Sequence, residues 1–425
     1  MMVALLFGIF LLAVFLGVPI AFSMAISSIF YLLVEEIPLS IIVQKMFVGM
    51  DSFTLLCVPG YILAGNLMSF GGITKPIIRF CNAVLGHIRG GLALVNCADS
   101  MIFAGISGTA IADVSSLGAI MIPIMEEEGY DKEFSVAITA STSTIGPIIP
   151  PSMPMILVGT LSGLSVSKLF IAGMIPGVMI GLCQMGVAYY IAKKRNYPKG
   201  KWPGWREVWL SFKDAVWAIL LIALILFGTL GGVFTPTEAS CVAVLYAFIV
   251  GMFIYKNLRW KDLPKIIYES ATMIAGIMLL VGFANLFGWI LSSQRIPQMI
   301  ADAMLAITTN KYLVLLLMNI LLLFVGMFME TNAALLILFP ILHGVAMQVG
   351  VDSIQFGVIM VLNLIIGLCT PPVGVCLSVA SSIGNCSFAK ASKEILPLIG
   401  CNIFVLLLVT YIPVITTWLP NLLVK

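Results

Sequence analysis

The sequence predicts an all-α polytopic membrane protein built from two inverted structural repeats, each with a re-entrant helical hairpin and a helix broken in mid-span. Three observations carry this reading: a composition too apolar for water, a proline-rich stretch inside an apolar window, and its recurrence at a fixed distance. Of the 425 residues, 61% are hydrophobic and 10% charged, and the mean hydropathy is +1.12. A soluble domain of that length lacks the polar surface to cover such a core. Apolar windows of ~20 residues recur from end to end without alternation, which favours membrane helices over a porin-type barrel. The first window starts at Met1 with no basic leader and no small-residue cleavage site, so it reads as a retained helix.

Little in the chain supports enzyme chemistry. The nine cysteines are scattered without a paired spacing and read as small apolar residues. Two histidines, His87 and His343, are too few for an ordinary zinc or haem site, and no phosphate-binding glycine loop occurs. The reading is therefore of no ATP, no organic cofactor and no transition metal.

Charge gives the orientation. Half of the 22 Lys and Arg residues fall in two short stretches, seven between Lys193 and Lys213 and four between Lys256 and Lys265. Both loops are expected in the cytoplasm, joined by two apolar helices at residues 215–231 and 236–255. Nucleic-acid binding by these loops is the weaker explanation.

The opening break lies at STIGPIIPPSMP, residues 143–154, with four prolines. Proline removes a backbone donor and clashes with the preceding turn, costing about 3 kcal/mol in a helix interior. Moved by 221 positions (367 less 146), Gly146, Pro150 and Pro151 fall on Gly367, Pro371 and Pro372. Gly105, Gly129, Asp131 and Pro176 meet Gly326, Gly350, Asp352 and Pro397 at the same offset. The helix at 167–192 ends at an inside loop, so the broken helix 134–160 begins inside. Lys390 and Lys393 mark the inside end of the broken helix 354–384, which therefore begins outside. Opposed broken helices are the signature of inverted repeats in secondary transporters.

Each broken helix follows a pair of short arms, residues 91–105 and 110–125 around GISGT, and 312–326 and 333–348 around MFMETN. Arms of this length reach about 22–24 Å, short of the roughly 30 Å hydrocarbon core. They read as hairpins at 91–125 and 312–348, with tilted pairs of short helices as the alternative. The organisation expected is N-terminal scaffold helices at 1–50, a first repeat at 51–192, cytoplasmic loops and scaffold helices at 193–265, and a second repeat at 266–425. Residues 1–50, with Pro19, fit one crossing or two. The amphipathic stretches 74–85 and 296–307 read as interfacial arms.

Unwound backbone at membrane depth survives where it lines a polar cavity or binds something. Carbonyls freed by the breaks suit Na⁺, and the half-helix N-termini suit a carboxylate. The candidate substrate contacts are Thr109, Asp113, Glu330, Thr331 and Asn332. Of the other acidic groups, Glu238 in GGVFTPTEAS reads as a helix cap and Asp99 lies on a hairpin arm. Arg295 reads as an interfacial anchor ahead of an anion contact. Gly173, Gly177 and Gly181 form a close-packing stripe.

The segment from FAGISGT at residue 103 to GTLSG at 163 resembles the large membrane subunit of TRAP (tripartite ATP-independent periplasmic) transporters. GGVFTPTEAS and GLCTPPVGVCLSVAS do so too, and the resemblance runs over essentially the whole chain. It implies an elevator-type importer in the bacterial inner membrane, driven by Na⁺. Its partners would be a periplasmic substrate-binding protein and a small four-helix membrane subunit. It implies two sodium sites, one at Ala104, Ser107, Gly146, Ile149 and Pro151 and one at Gly326, Gly367, Thr370 and Val373, chiefly through main-chain oxygens. Glu330 departs from the family pattern, which more often carries aspartate there. Implied substrates are organic acid anions, with sialic acid favoured and C4-dicarboxylates possible. The rival readings are a self-sufficient Na⁺/dicarboxylate symporter and a channel.

Overall fold

The computed structural model describes residues 2–423, which are helical with no named strand. Seven helices among them are long and apolar enough to cross a membrane. Their outer faces carry exposed apolar side chains such as Phe227 and Phe253, as hydrocarbon contact demands. Trp202, Trp205, Trp209 and Trp260 are exposed beside the two basic loops, the interfacial position tryptophan prefers.

The first 50 residues form three short helices, Met2–Phe15, Ile20–Val34 and Ser40–Met50, with Pro19 separating the first two. Cys57–Phe70 follows. Thereafter the element order repeats. The arm helix Thr74–Leu85 precedes a hairpin of Gly91–Ser107 and Ala110–Glu127. The broken helix is Lys132–Thr142 and Met153–Ser162, and the long helix Val166–Lys194 closes the half. Trp205–Leu230 and Pro236–Ile249 intervene, then the long helix Leu263–Ser293. The second half carries Ile296–Ile307, the hairpin Lys311–Gly326 and Thr331–Gln348, the broken helix Ser353–Gly367 and Val375–Ile383, and the long helix Phe388–Tyr411. The hairpin arms run to 16–18 residues, slightly longer than the apolar stretches suggest. The helix continues into charged residues at Glu126, Glu127 and Lys311, beyond where hydropathy alone would stop it.

Boundaries follow local chemistry. Thr235 and Glu238 form a reciprocal capping box: the Glu238 carboxylate accepts from the Thr235 N–H at 2.7 Å, and the Thr235 hydroxyl accepts from the Glu238 N–H at 3.2 Å. Glu238 is thus a cap, as its position after Thr-Pro-Thr suggests. Asp352 caps the second broken helix, accepting from the N–H groups of Ile354 and Gln355.

Ion pairs fix the end of the molecule that carries the basic loops. Arg195 donates to Asp131 at 2.9 Å and to Glu394 at 2.6 Å, and Tyr197 donates to Asp131 at 2.6 Å. Burial first, and then the bond to Asp131, raises the Tyr197 phenol above its ordinary range, which keeps it a donor. Lys390, just past the end of the second broken helix, pairs with Glu133 in the first turn of the first at 3.5 Å. One broken helix therefore starts where the other finishes.

Buried amides and hydroxyls latch each hairpin to its broken helix. In the first half Thr142 donates to Asn96 at 3.1 Å and Asn96 to Thr139 at 2.7 Å. In the second, Asn363 donates to Asn319 at 2.7 Å and Asn319 to Thr410 at 3.0 Å. Thr142 and Asn363 stand at the same place in the repeat. Asn319→Leu should cost about 1–3 kcal/mol, because it leaves buried partners without a bond. Combining it with Asn363→Leu should recover part of that loss in denaturant unfolding of the purified chain. Strictly additive losses would contradict the latch.

Candidate functional site

The first break, residues 143–152, is buried throughout. Its Pro150–Pro151 bond is cis, as is Pro371–Pro372 in the second. Ser152 caps the outgoing segment by accepting from the Met155 N–H at 3.2 Å, and its hydroxyl donates to the Pro147 carbonyl. The carbonyls of Gly146, Ile149 and Pro151 accept no hydrogen bond among the described residues.

The tip of hairpin one closes over these oxygens. Gly108, at φ +64°, approaches so closely that a Cβ there would lie 2.7 Å from the Pro151 carbonyl oxygen, an approach open to glycine alone. Asp113 is fully buried in the next turn. One of its carboxyl oxygens accepts from the Ser107 hydroxyl; the other has no partner and lies where a Cβ on Gly146 would be. A void of about 10 Å³ remains between tip and break, lined by Ser107, Gly108, Pro151 and Tyr61 among others. That is room for about one water-sized ligand, and the Tyr61 hydroxyl beside it is buried without a partner. Of the first set of residues, Ser107 and Gly146 therefore meet at Asp113, and Pro151 lies against the neighbouring Gly108. Ala104 is buried one turn back in the arm, and Ile149 packs on Gly177. The glycine stripe explains itself here: Gly173 lies against the Ile148 carbonyl, a Cβ there being 2.5 Å from it.

The second break is built alike but is more open. Gly326 at the end of the first arm meets Gly367 backbone to backbone, a Cβ on Gly326 lying 3.2 Å from the Gly367 Cα. The Gly326 and Thr370 carbonyls accept no hydrogen bond among the described residues. Two expected ligands are less free. The Gly367 carbonyl takes the Thr370 N–H at 2.9 Å, and the Val373 carbonyl takes the Ser378 hydroxyl at 3.0 Å. Pro372 and Val373 are exposed.

Between the two tips lies a cavity of about 440 Å³. Thr109, Glu330, Thr331 and Asn332 all line it, together with Pro147, Pro154 and Leu368 from the broken helices. Asp113, also expected as a substrate contact, is not among the residues lining it and faces Gly146 instead. The Thr331 hydroxyl and the Asn332 side-chain amide oxygen are buried without partners. Glu330 caps its helix, accepting from the Ala333 N–H at 3.1 Å, so its carboxylate already offsets that helix end. Hairpin one is capped by the neutral Thr109 hydroxyl, 3.4 Å from the Ala112 N–H, and carries its carboxylate, Asp113, one turn further in.

The N-terminal helices and Leu263–Ser293 supply the remaining wall, which sequence reasoning missed. Pro19, Ile20 and Ala21 line the cavity, as do Thr272, Met273, Gly276, Ile277 and Leu280. Thr272, Gly276 and Leu280 recur at four-residue spacing on one helix face, the only signal available for them. Arg295 is exposed and is not among the residues lining the cavity. Asp99, with both oxygens unpartnered, lies beside Cys81 away from it.

Broken helices, short hairpins and a cavity between their tips define a helical membrane transporter. The fold agrees with that of the Alcanivorax borkumensis YdaH transporter, with a TM-score of 0.65 at 13% identity over 89% of this chain and 88% of that one. The description "Tripartite ATP-independent periplasmic transporter, DctM component" matches residues 7–415, and the chain belongs to that family. It is 40% identical over 422 residues, 99% of each chain, to the sialic acid TRAP transporter large permease protein SiaM of Vibrio cholerae. It is 37% identical over 445 aligned positions, all of this chain and 98% of the relative, to the C4-dicarboxylate TRAP transporter large permease protein DctM of the same organism.

The tip-to-break contact is testable without any ligand. Gly108→Ala and Gly129→Ala both place alanine at positive φ, but Gly129 has open space around it. Each should carry about 1 kcal/mol of backbone strain. Gly108→Ala should lose roughly 1–3 kcal/mol more in unfolding by overlap with Pro151, and equal midpoints would show that the tip does not touch the break.

Proposed function

We propose that the chain imports an organic acid anion across the bacterial inner membrane, coupled to Na⁺, by moving its hairpins and broken helices as one unit. The observation that carries this is the convergence of unpartnered polar atoms on the two tips. An Asp113 oxygen, the Thr331 hydroxyl and the Asn332 side-chain amide oxygen are all buried and unsatisfied, facing unwound backbone or the cavity between. A cation beside a buried carboxylate with one hydrogen bond offsets the desolvation of its charged form. Ser107, Asp113 and the carbonyls of Gly146 and Pro151 are hard oxygen donors suited to Na⁺. Gly326, Gly367, Thr370 and Val373 would supply the second ion's oxygens, chiefly from the main chain.

Orientation supports inverted repeats. With the basic loops inside, the Lys390–Glu133 pair means that the first broken helix leaves the cytoplasmic end and the second arrives there. The latches and glycine contacts bind each hairpin to its broken helix, whereas Leu263–Ser293 and the N-terminal helices meet that assembly partly across the cavity. A rigid unit sliding against a scaffold follows naturally. Na⁺ at the breaks would order the tips and add positive charge beside the anion pocket, so that ion and substrate raise each other's affinity.

The tripartite family supports two partners, a periplasmic substrate-binding protein and a small membrane subunit. Sialic acid is the favoured substrate of this reading, and a C4-dicarboxylate is the alternative. Uptake of each labelled acid into proteoliposomes, with and without Na⁺ and with and without a candidate binding protein, tests this. Saturable, Na⁺-dependent uptake that needs the binding protein is expected. Uptake without it would favour a self-sufficient symporter, and ohmic current a channel.

Two substitutions sharpen the test. Gly146→Leu, which drives a side chain into the Asp113 carboxylate, should abolish uptake while the protein remains folded. Asp113→Asn should raise the Na⁺ concentration for half-maximal uptake by about tenfold or more, the loss of one charge-assisted ligand. Undiminished uptake in both variants would count decisively against a cation at this break.

A further inference from the structure

A second cavity of about 440 Å³ lies in line with the first. Three helices form walls of both. On Leu263–Ser293, Leu280 faces the central cavity and Val281 the second, which continues past Gly288 to Ser292. On Met153–Ser162 the change falls between Pro154 and Leu157, and on Thr331–Gln348 between Ala333 and Leu336. Three residues of helix rise about 4.5 Å, so one apolar layer separates the cavities. All three helices run away from the basic loops, which on the proposed orientation makes the second cavity the outer one.

Its fourth wall is the scaffold helix Ser40–Met50. Gly49 crosses Asn285 so closely that a Cβ there would sit 2.5 Å from the Asn285 Cβ. That crossing holds Lys45 against Trp289, with Nζ 5.3 Å from the ring centre. Lys45 is the one charged residue lining this cavity among the described residues, and no carboxylate there stands within ion-pair distance of it. The Ser52 and Thr160 hydroxyls and the Asn285 amide share the wall. A half-buried ammonium on an aromatic face, without a counter-ion, offers a charge-assisted contact to an arriving anion, and the space suits a small organic acid.

We propose that this cavity is a second anion site, an outer station where Lys45 takes the substrate's carboxylate before it crosses the layer to the central cavity. The proposal rests on the transport reading above. Two measurements test it, one of which does not depend on transport. Lys45→Met keeps an apolar stem on Trp289 and removes the charge; Lys45→Arg keeps the charge. In the assembled transporter, Lys45→Met should raise the half-saturating concentration of labelled sialic acid or succinate about tenfold, with the maximal rate held within about twofold. Lys45→Arg should leave both within about twofold.

In the purified chain in nanodiscs, iodide should quench Trp289 fluorescence, isolated by difference from Trp289→Phe, several-fold more strongly than in Lys45→Met. An unshifted half-saturation in Lys45→Met, or an equal loss in Lys45→Arg, overturns the proposal. If the native chain takes up neither acid, the transport reading fails and quenching alone decides the site. Equal quenching in the native chain and Lys45→Met overturns it.

Discussion

A peptide group at membrane depth must find a hydrogen-bond partner inside the protein, because hydrocarbon offers none. The two proline breaks strip several groups of their helical partners, and much of the molecule is arranged around that deficit. Glycines bring backbone onto backbone at each break: Gly108 onto Pro151, Gly173 onto Ile148, Gly326 onto Gly367. Ser152 covers the Pro147 carbonyl. What stays uncovered after this accommodation is a small set of oxygens beside the hairpin tips, and on the proposed reading those are the ones sodium takes.

The two halves share a plan but divide its charges differently. Thr109 and Glu330 occupy the same place in the repeat, each capping the second arm of its hairpin. Asp113 has Ala334 as its counterpart. Each tip thus owns one carboxylate, but in the first half it faces the break while in the second it caps the helix at the cavity. The first break is buried throughout, whereas Pro372 and Val373 in the second are exposed. On the proposed reading the two ion sites therefore differ in access.

Much of this was legible in the sequence, for identifiable reasons. Prolines and glycines mark backbone directly, so both breaks and both tips could be located from STIGPIIPPSMP, GLCTPP, GISGT and MFMETN. The capping box at Thr235 and Glu238 is likewise a local pattern. A single carboxylate on a helix has no written direction; only packing turns Asp113 toward Gly146. The same limit hid Tyr61, Thr272 and Lys45, which gain meaning from helices distant in the chain. Hydropathy also ended the hairpin arms early, since Glu126, Glu127 and Lys311 prolong helices that apolar content alone would close.

On the proposed reading cations rest in the two breaks, and a density map resolving side chains, recorded in Na⁺ and again in choline, tests that most directly. Compact density between the Asp113 carboxylate and the Gly146 and Pro151 carbonyls, and between Gly326 and Thr370, present in Na⁺ and absent in choline, is the predicted result. Identical maps with no density at either break, and tips unchanged between the two salts, would contradict it.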